Sequence, residues 1–426
     1  MNKGIRTRLI IHNILKNIKT KSINFDEAFI NNISGVSISE SDKKFIQNIV
    51  LNSMRNYMVI EKIIENLAKK VNVNSDAYFL LLSSITQLFF LKIKAHAVVD
   101  STVELTKLKN IHTSTNFINA FLRNFMRKIN HFKKIKREFN LLPVWFFEKT
   151  KNWKQDIKEQ FLTNIAQEPQ LHIVFKSKND LNHFLEYGYK TTEKSLAIHK
   201  SISFNRIPKY LEGLWWVQDY SSMMPLNLIN INDYNKIADV GSAPGGKLFQ
   251  LLSNGSDVIS YEKSYNRANI LEKNLDRLKL HCNINIRNFL EIEEKEDFDL
   301  IVLDAPCSAV GTIRRNPEIF FKNKFPNFDN LINIQKRLLE KAKKIIRKKG
   351  IIIYMVCSFL DEECVNQIDN FLKKNNNFRK VNFSNSNLLK RDKLLDDNGF
   401  FLTIPKKIKF NIPVDGYFAA KLERYD

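Results

Sequence analysis

Cysteine is scarce in this chain, with four in 426 residues (Cys282, Cys307, Cys357 and Cys364) and no CxxC pair among them. That argues against both a disulfide framework and a structural zinc site. The eight histidines are scattered without an HxxxH or HxH pair, so no metal centre is expected. Long apolar runs are also missing. The longest, Phe79 to Leu91, is broken by Ser83, Ser84, Thr86 and Gln87 and is shorter than the roughly 20 residues a spanning helix needs. The opening segment is basic and amphipathic, with no apolar block or small-residue cleavage site, and a cytoplasmic location is expected. Neither proline nor glycine occurs between Val36 and Leu142, which leaves room for uninterrupted helices.

What is abundant is positive charge. The formal net charge is +22, and clustered Lys and Arg release counterions from a phosphate backbone, so a nucleic-acid partner is one reading. The other is compositional drift, because the chain is rich in Lys, Asn and Ile and poor in Gly and Ala. Hydrophobic residues make up 44% and charged residues 26%, as in a soluble globular protein, and the length calls for two or three domains.

The hydrophobic period divides the chain. Residues 1–132 read as helices only, with stripes at Ile5, Leu9, Ile10, Ile14 and Leu15, then from Phe45 to Met54 behind a capping-box pattern at Ser39. Further helices are expected over Ala77 to Leu91 and Thr115 to Met126. Residues 133–225 form a mixed connecting domain, with a helix opening at Leu142-Pro143 and a short strand at LHIVFK. Residues 226–426 alternate apolar strands (KIADV, DVISY, NINIR, DLIVLD, GIIIYMVC) with helices such as Asn269 to Leu280 and Asp329 to Arg347, the latter stopped by Gly350. Such alternation predicts parallel βαβ units, an α/β domain behind an all-α one.

Ligands of such sheets bind beyond the carboxyl ends of the strands, and three unusual signatures fall there. The first is Asp239-Val240-Gly241-Ser242-Ala243-Pro244-Gly245-Gly246-Lys247, between KIADV and a helix. It is neither GxGxxG nor a P-loop, since Leu248 follows Lys247, and it points to a nucleotide-like cofactor or to a plain tight turn. Glu262, at the end of the next strand, is placed to accept from ribose hydroxyls or is simply solvated. The second signature is DAPCSAVGTIRRNP, from Asp304 to Pro317. Its Cys307 sits after a proline, with Arg314 and Arg315 near enough in sequence to favour a thiolate or bind phosphate. The third is Tyr354-Met355-Val356-Cys357-Ser358, with Asp361, Glu362 and Glu363 just beyond. Cys364 and Cys282 read as packing residues.

Together these signatures resemble the Sun family of RNA cytosine-5 methyltransferases, closest to the bacterial Sun/RsmB type that modifies 16S ribosomal RNA. The family's loops usually read DxCAAPGGK, DAPCSxxGxxRRxP and Y-[ST]-T-C-S. Here Gly241 and Ser242 replace a Cys-Ala pair, and Met355 and Val356 replace a polar pair. Asp415 to Ala420 (DGYFAA) is similar to the closing DGFFxA strand, and Gln218 to Ser222 (QDYSS) to the QDxSS element. The front half, including LLSSITQLFFLKIKAHA, resembles a NusB-type RNA-binding domain.

The resemblance implies a Rossmann-like S-adenosylmethionine-dependent methyltransferase domain preceded by a NusB-like domain, acting on RNA. It implies Cys357 as the nucleophile toward carbon 6 of cytosine and Cys307 as its helper in elimination. The reverse assignment is the alternative, since DNA cytosine methylases use the proline–cysteine position as nucleophile. Asp304 would hold the pyrimidine edge and border the cofactor. Gly241, Ser242, Ala243, Pro244, Gly245, Gly246 and Lys247 would cradle the methionine end of S-adenosylmethionine, Glu262 its ribose, and Asn288 its adenine. Two other readings stay open: a transfer-RNA enzyme of the same chemistry, and a catalytically silent RNA-binding assembly factor.

Overall fold

A computed structural model describes residues 3–68, 70–293, 298–383 and 392–426. The chain forms two compact units: residues 1–166 with 313–325, and residues 167–312 with 326–426.

The first unit is helical. It comprises α1 (Lys3–Lys21), α2 (Phe25–Ile33), α3 (Glu40–Leu67), α4 (Asp76–Ile85), α5 (Ala95–Leu105), α6 (Thr115–Phe132), α7 (Val144–Thr150) and α8 (Gln155–Ile165). The capping pattern at Ser39 is realised, its hydroxyl accepting from the Asp42 amide at 3.2 Å. The expected helix over Ala77 to Leu91 is α4 continued by a π-helical turn, Thr86–Phe90. Ile11, Ile14, Leu15 and Ile18 of α1 and Ile46, Ile49 and Val50 of α3 are fully buried, as the 3.6-residue stripes require.

The second unit opens with a four-stranded antiparallel sheet. Its strands are β1 (His172–Phe175), β2 (Gly188–Thr192), β3 (Ser195–Ile198) and β4 (Trp215–Val217), ordered β2-β3-β1-β4. Next come a short helix α9 (Tyr220–Asn227), β5 (Lys236–Val240), α10 (Gly246–Leu252), β6 (Asp257–Tyr261), α11 (Tyr265–Leu278), β7 (Asn283–Asn285) and β8 (Phe298–Asp304). After residues 313–325 follow α12 (Phe328–Ile345), β9 (Ile346–Val356), α13 (Val365–Lys374), β10 (Phe378–Val381), β11 (Phe401–Thr403), β12 (Lys406–Lys407), β13 (Pro413–Val414) and β14 (Tyr417–Arg424). The main sheet runs β10-β14-β9-β8-β5-β6-β7, with β11 also on β14. Strands β5 to β9 are parallel, and β14 returns antiparallel to β9.

Alternation along the strands fills both faces. Leu300 and Val302 of β8 and Ile353 and Met355 of β9 enter one apolar cluster, whereas Ile301, Leu303, Ile352 and Tyr354 enter the other. The order places β6 on one side of β5 and β8 on the other, so the crevice outside β5 and β8 is a topological switch point.

Three expectations shift. Strand β7 is only Asn283–Asn285, and α11 starts at Tyr265, earlier than Asn269. The helix ahead of β9 ends at Ile345, well before Gly350. Fully buried Ile346 pairs with Phe298, and Arg347 binds the Asp299 carboxylate at 2.7 Å, so the chain is already strand.

Residues 313–325 pack with the helices. Phe321 is fully buried, its ring 5.7 Å from that of Tyr57, and the Lys19 ammonium lies 4.6 Å above it. Phe320 meets Phe146 at 4.8 Å. Phe321→Ala is therefore expected to cost the helical unit about 3–5 kcal/mol, read as an earlier transition in denaturant unfolding. A cost below about 1 kcal/mol would mean that the segment only lies against the helices.

Candidate active site

A cavity of about 380 Å³ opens at the carboxyl ends of the parallel strands, within the usual size range of small-molecule sites. Its walls include Gly241 after β5, Glu262 after β6, Asn288 beyond β7, Asp304 and Cys307 after β8, and Cys357 after β9. Five separate strand ends thus contribute to one site.

The cofactor-loop residues divide. Gly241 lines the cavity, with φ +80°, and a Cβ there would stand 2.7 Å from the Asp304 carbonyl. With a side chain at this position the Asp304 carbonyl would have to shift, so glycine sets how closely the two strand ends approach here. Ser242 to Lys247 lie outside the lining and shape it instead. The Ser242 hydroxyl donates to the Asp239 carbonyl at 2.8 Å. The Ala243 carbonyl accepts from Arg267, and the Pro244 carbonyl from Asn274. Gly245 leaves no room for a Cβ beside Phe249, and Gly246 packs on Gln218 of the QDYSS element. Lys247 donates to Asp304 Oδ2 at 2.7 Å, fixing the carboxylate at the end of β8, where the Tyr417 hydroxyl also reaches Oδ1 at 3.4 Å.

Glu262 is not a solvated surface residue. It is 2% exposed, and its Oε1 accepts from the Ser264 amide. Oε2 is 3.6 Å from the Arg267 guanidinium yet accepts no hydrogen bond. A buried carboxylate oxygen left without a donor is costly alone and suits a hydroxyl-bearing ligand. Asn288 caps a short helical turn and donates to Glu291 at 2.9 Å while facing the cavity.

The two cysteines meet. Cys307 Sγ and Cys357 Sγ are 3.3 Å apart, both free thiols and both partly buried. The hydrogen bond to Cys357 together with burial pushes the Cys307 thiol well above its ordinary range. Arg314 does not serve as a phosphate ligand: it is fully buried in the helical unit, where its carbonyl accepts from Arg55, while Arg315 is exposed. Cys364 caps α13 in the core, and Cys282 packs at the edge of the other cluster.

Glu363, unassigned by sequence, is the hub of the cysteine loops. Its carboxylate accepts from the Ser308 amide at 2.8 Å, from the Ser308 and Ser358 hydroxyls at 2.6 Å each, and from Gln335 at 3.2 Å. Those serines follow Cys307 and Cys357 directly. Gly311 adds a second tie, its amide donating to the Cys357 carbonyl at 3.0 Å, where a Cβ would collide with Gly416. The sequence signal for Glu363 was an acidic residue six positions after a strand-end cysteine, too weak by itself to single it out.

Asp239 is the other unassigned group. Both carboxylate oxygens are buried without hydrogen-bond partners, and burial raises its pKa to about 7. Because the folded value is raised, the unfolded chain ionises first. This group therefore contributes stability below about pH 4 that is lost as pH rises to about 7. Asp239→Asn is expected to raise the thermal midpoint at pH 8 and leave it unchanged at pH 4. A lowered midpoint at both values would instead assign the carboxylate a structural role. Glu363→Ala is expected to destabilise the sheet unit by at least about 2 kcal/mol, since four buried donors lose their acceptor. Unfolding in urea measures it, and an unchanged midpoint would show that water replaces the carboxylate.

The sequence matches the family described as "16S rRNA methyltransferase RsmB/F" over residues 226–423 and the NusB family over residues 5–127. A relative from Proteus mirabilis, "Ribosomal RNA small subunit methyltransferase B", is 27% identical over 360 residues, covering 79% of this chain and 84% of the relative. Its namesake from Yersinia enterocolitica is 27% identical over 394 residues, covering 86% of this chain and 90% of its own. The crystal structure of PH0851 superposes over 99% of both chains with a TM-score of 0.71 at 18% identity, a likeness of fold. Residues 5–127 are thus a NusB-family domain, and residues 226–423 a Rossmann-like, S-adenosylmethionine-dependent methyltransferase domain of the RsmB/F family.

Proposed function

We propose that the protein methylates carbon 5 of a cytosine in 16S ribosomal RNA, with Cys357 as nucleophile and Cys307 as its partner in release. The observation that carries this reading is the 3.3 Å approach of the two thiols on the wall of the cavity that also holds Asp304 and Glu262. Carbon 5 of cytosine is a poor nucleophile while the ring stays aromatic. Addition of the Cys357 thiolate to carbon 6 makes an enamine and transfers nucleophilicity to carbon 5, replacing one hard step by easier ones. S-adenosylmethionine supplies the electrophilic methyl group.

After transfer, carbon 5 carries both a methyl group and a proton. Loss of that proton to a water molecule acting as base returns the electron pair to the ring, and the carbon 6–sulfur bond breaks, regenerating the Cys357 thiolate. The two sulfurs lie at hydrogen-bond distance and either can be the donor, so one thiol can stay protonated beside the other during elimination, and the family pattern gives the helper's part to Cys307. Asp304, anchored by Lys247 and Tyr417, presents a carboxylate that would accept from the exocyclic amino group on the pyrimidine edge of the base. Glu262 would hold the cofactor ribose, Asn288 would face its adenine, and the Gly241 to Lys247 loop would shape the methionine end. The target base must leave its stack to reach this cavity. The ribosomal assignment draws on the relatives' names and on the NusB domain.

Transfer of radiolabelled methyl from S-adenosylmethionine to protein-free 16S RNA, followed by nucleoside analysis, tests the reaction. 5-Methylcytosine is the expected product. Transfer to tRNA alone would move the substrate, and no transfer with no cofactor binding would indicate a silent assembly factor. Cys357→Ala is expected to abolish transfer, and Cys307→Ala to accumulate a covalent protein–RNA adduct that survives denaturing gels. The opposite pattern would exchange the two roles.

A further inference from the structure

Away from the cavity, the same unit exposes a pair of stacked aromatic rings. Tyr189 of β2 and Phe410 lie with centroids 4.9 Å apart and planes 12° from parallel, yet remain 41% and 49% exposed. His199 meets the Tyr189 ring edge-on at 4.6 Å. Phe410 stands at the tip of the β12–β13 hairpin, which closes through the Ile408 amide and the Ile412 carbonyl at 2.9 Å. Those two isoleucines are 7% and 2% exposed and root the hairpin in the core.

The backbone works to present the ring outward. Phe410 and Asn411 have φ of +63° and +57°, a region that residues with a Cβ enter at a cost. A glycine turn would close the same hairpin without strain, and the strain here displays an apolar ring to solvent. Single exposed apolar residues need no explanation, but a strained, stacked pair does.

The charge beside the rings is mostly positive, with Glu186 and Glu193 farther along the chain on either side of Tyr189. Lys190, Lys200, Lys407 and Lys409 are exposed chain neighbours of the rings, and the Lys409 ammonium lies 4.8 Å from the Phe410 centroid. No acidic residue occurs from Lys194 to Leu211 or from Asn398 to Val414. Aromatic faces set among lysines suit an unpaired base whose phosphates are held alongside.

We propose that Tyr189, His199 and Phe410, with the lysines beside them, form a second RNA-binding site that stacks an unpaired base of single-stranded RNA outside the catalytic cavity. The proposal rests on the reading of RNA as substrate, which methyl transfer to 16S RNA by the unsubstituted chain tests separately. The site is sequence-tolerant, because every base offers a π-face. It would hold a single-stranded stretch flanking the target.

Binding of a fluorescein-labelled oligouridylate to the full chain, measured by anisotropy over a range of salt concentrations, decides the matter. Phe410→Ala is expected to weaken binding about fivefold to a hundredfold, with the slope of log K against log salt unchanged. Phe410→Trp keeps a stacking face and should retain the affinity. Lys409→Gln should reduce the salt slope by roughly 0.7. Unchanged S-adenosylmethionine affinity and thermal midpoint in each variant confirm that the fold is intact. The site is overturned if the unsubstituted chain does not bind the oligomer. It is equally overturned if Phe410→Ala binds as tightly, which would make the pair a protein contact or simple packing, or if the tryptophan variant is as weak as the alanine variant.

Discussion

Two thiols 50 residues apart can share a proton only if two loops are held to a fraction of an ångström, and one buried carboxylate does most of that holding. Strands β8 and β9 are parallel neighbours with Asp304 opposite Met355, so the chain leaves both at the same level of the sheet. That register brings the loops near but does not fix them. Glu363 accepts from the residue after each cysteine, and Gln335 of α12 steadies the acceptor from behind. A hydroxyl donating to an ionised carboxylate is about twice as strong as a neutral pair, and burial removes competing water. The carboxylate therefore sets the separation of the sulfurs without touching either.

The same negative charge acts on the thiols: Glu363 adds to what raises the Cys307 thiol, after the hydrogen bond to Cys357 and burial. Other charges are kept apart in the same way. Lys247, which a loop reading assigns to the cofactor, is spent on Asp304, and Arg267 on the Ala243 carbonyl and the Glu262 carboxylate. Among the described residues, the buried side-chain oxygen on the cavity wall without a donor is the second oxygen of Glu262, which a ribose hydroxyl would satisfy. The Asp304 carboxylate thus faces the cavity with its partners already in place.

Much of this was legible in the residues. The change of period near residue 226 marked the parallel sheet, and strand-end position picked out Gly241, Glu262, Asp304, Cys307 and Cys357, all of which line one cavity. Other features depended on contacts that no local pattern carries. Glu363 looked like one of three acids after a cysteine, and only burial among four donors distinguishes it. Arg314 sat in a basic pair that suggested phosphate, yet its neighbours Phe320 and Phe321 carry the segment into the helical unit, and the arginine is buried with them. The helix ahead of β9 seemed to need Gly350 as its stop. Pairing with β8 ends it earlier, because Ile346 gains more in the sheet than in another helical turn.

The departures from the family pattern bear on how Cys357 is oriented. Met355 and Val356 occupy places where a polar pair is usual, and both are fully buried in the sheet, one on each face. A hydroxyl at either position would sit in an apolar cluster rather than beside Cys357. Orientation of the thiol must then come from outside the strand, and three contacts supply it. The Ser358 hydroxyl is pinned to Glu363, the Cys357 carbonyl is held by the Gly311 amide, and Tyr417 covers Met355 while reaching Asp304. Each of these partners belongs to a different segment, so no single loop can shift Cys357 without breaking a bond to another. A strand end packed by apolar residues and tied at three points is stiffer than one carrying its own hydroxyls, which makes the substitution a change of means and not a loss of the site.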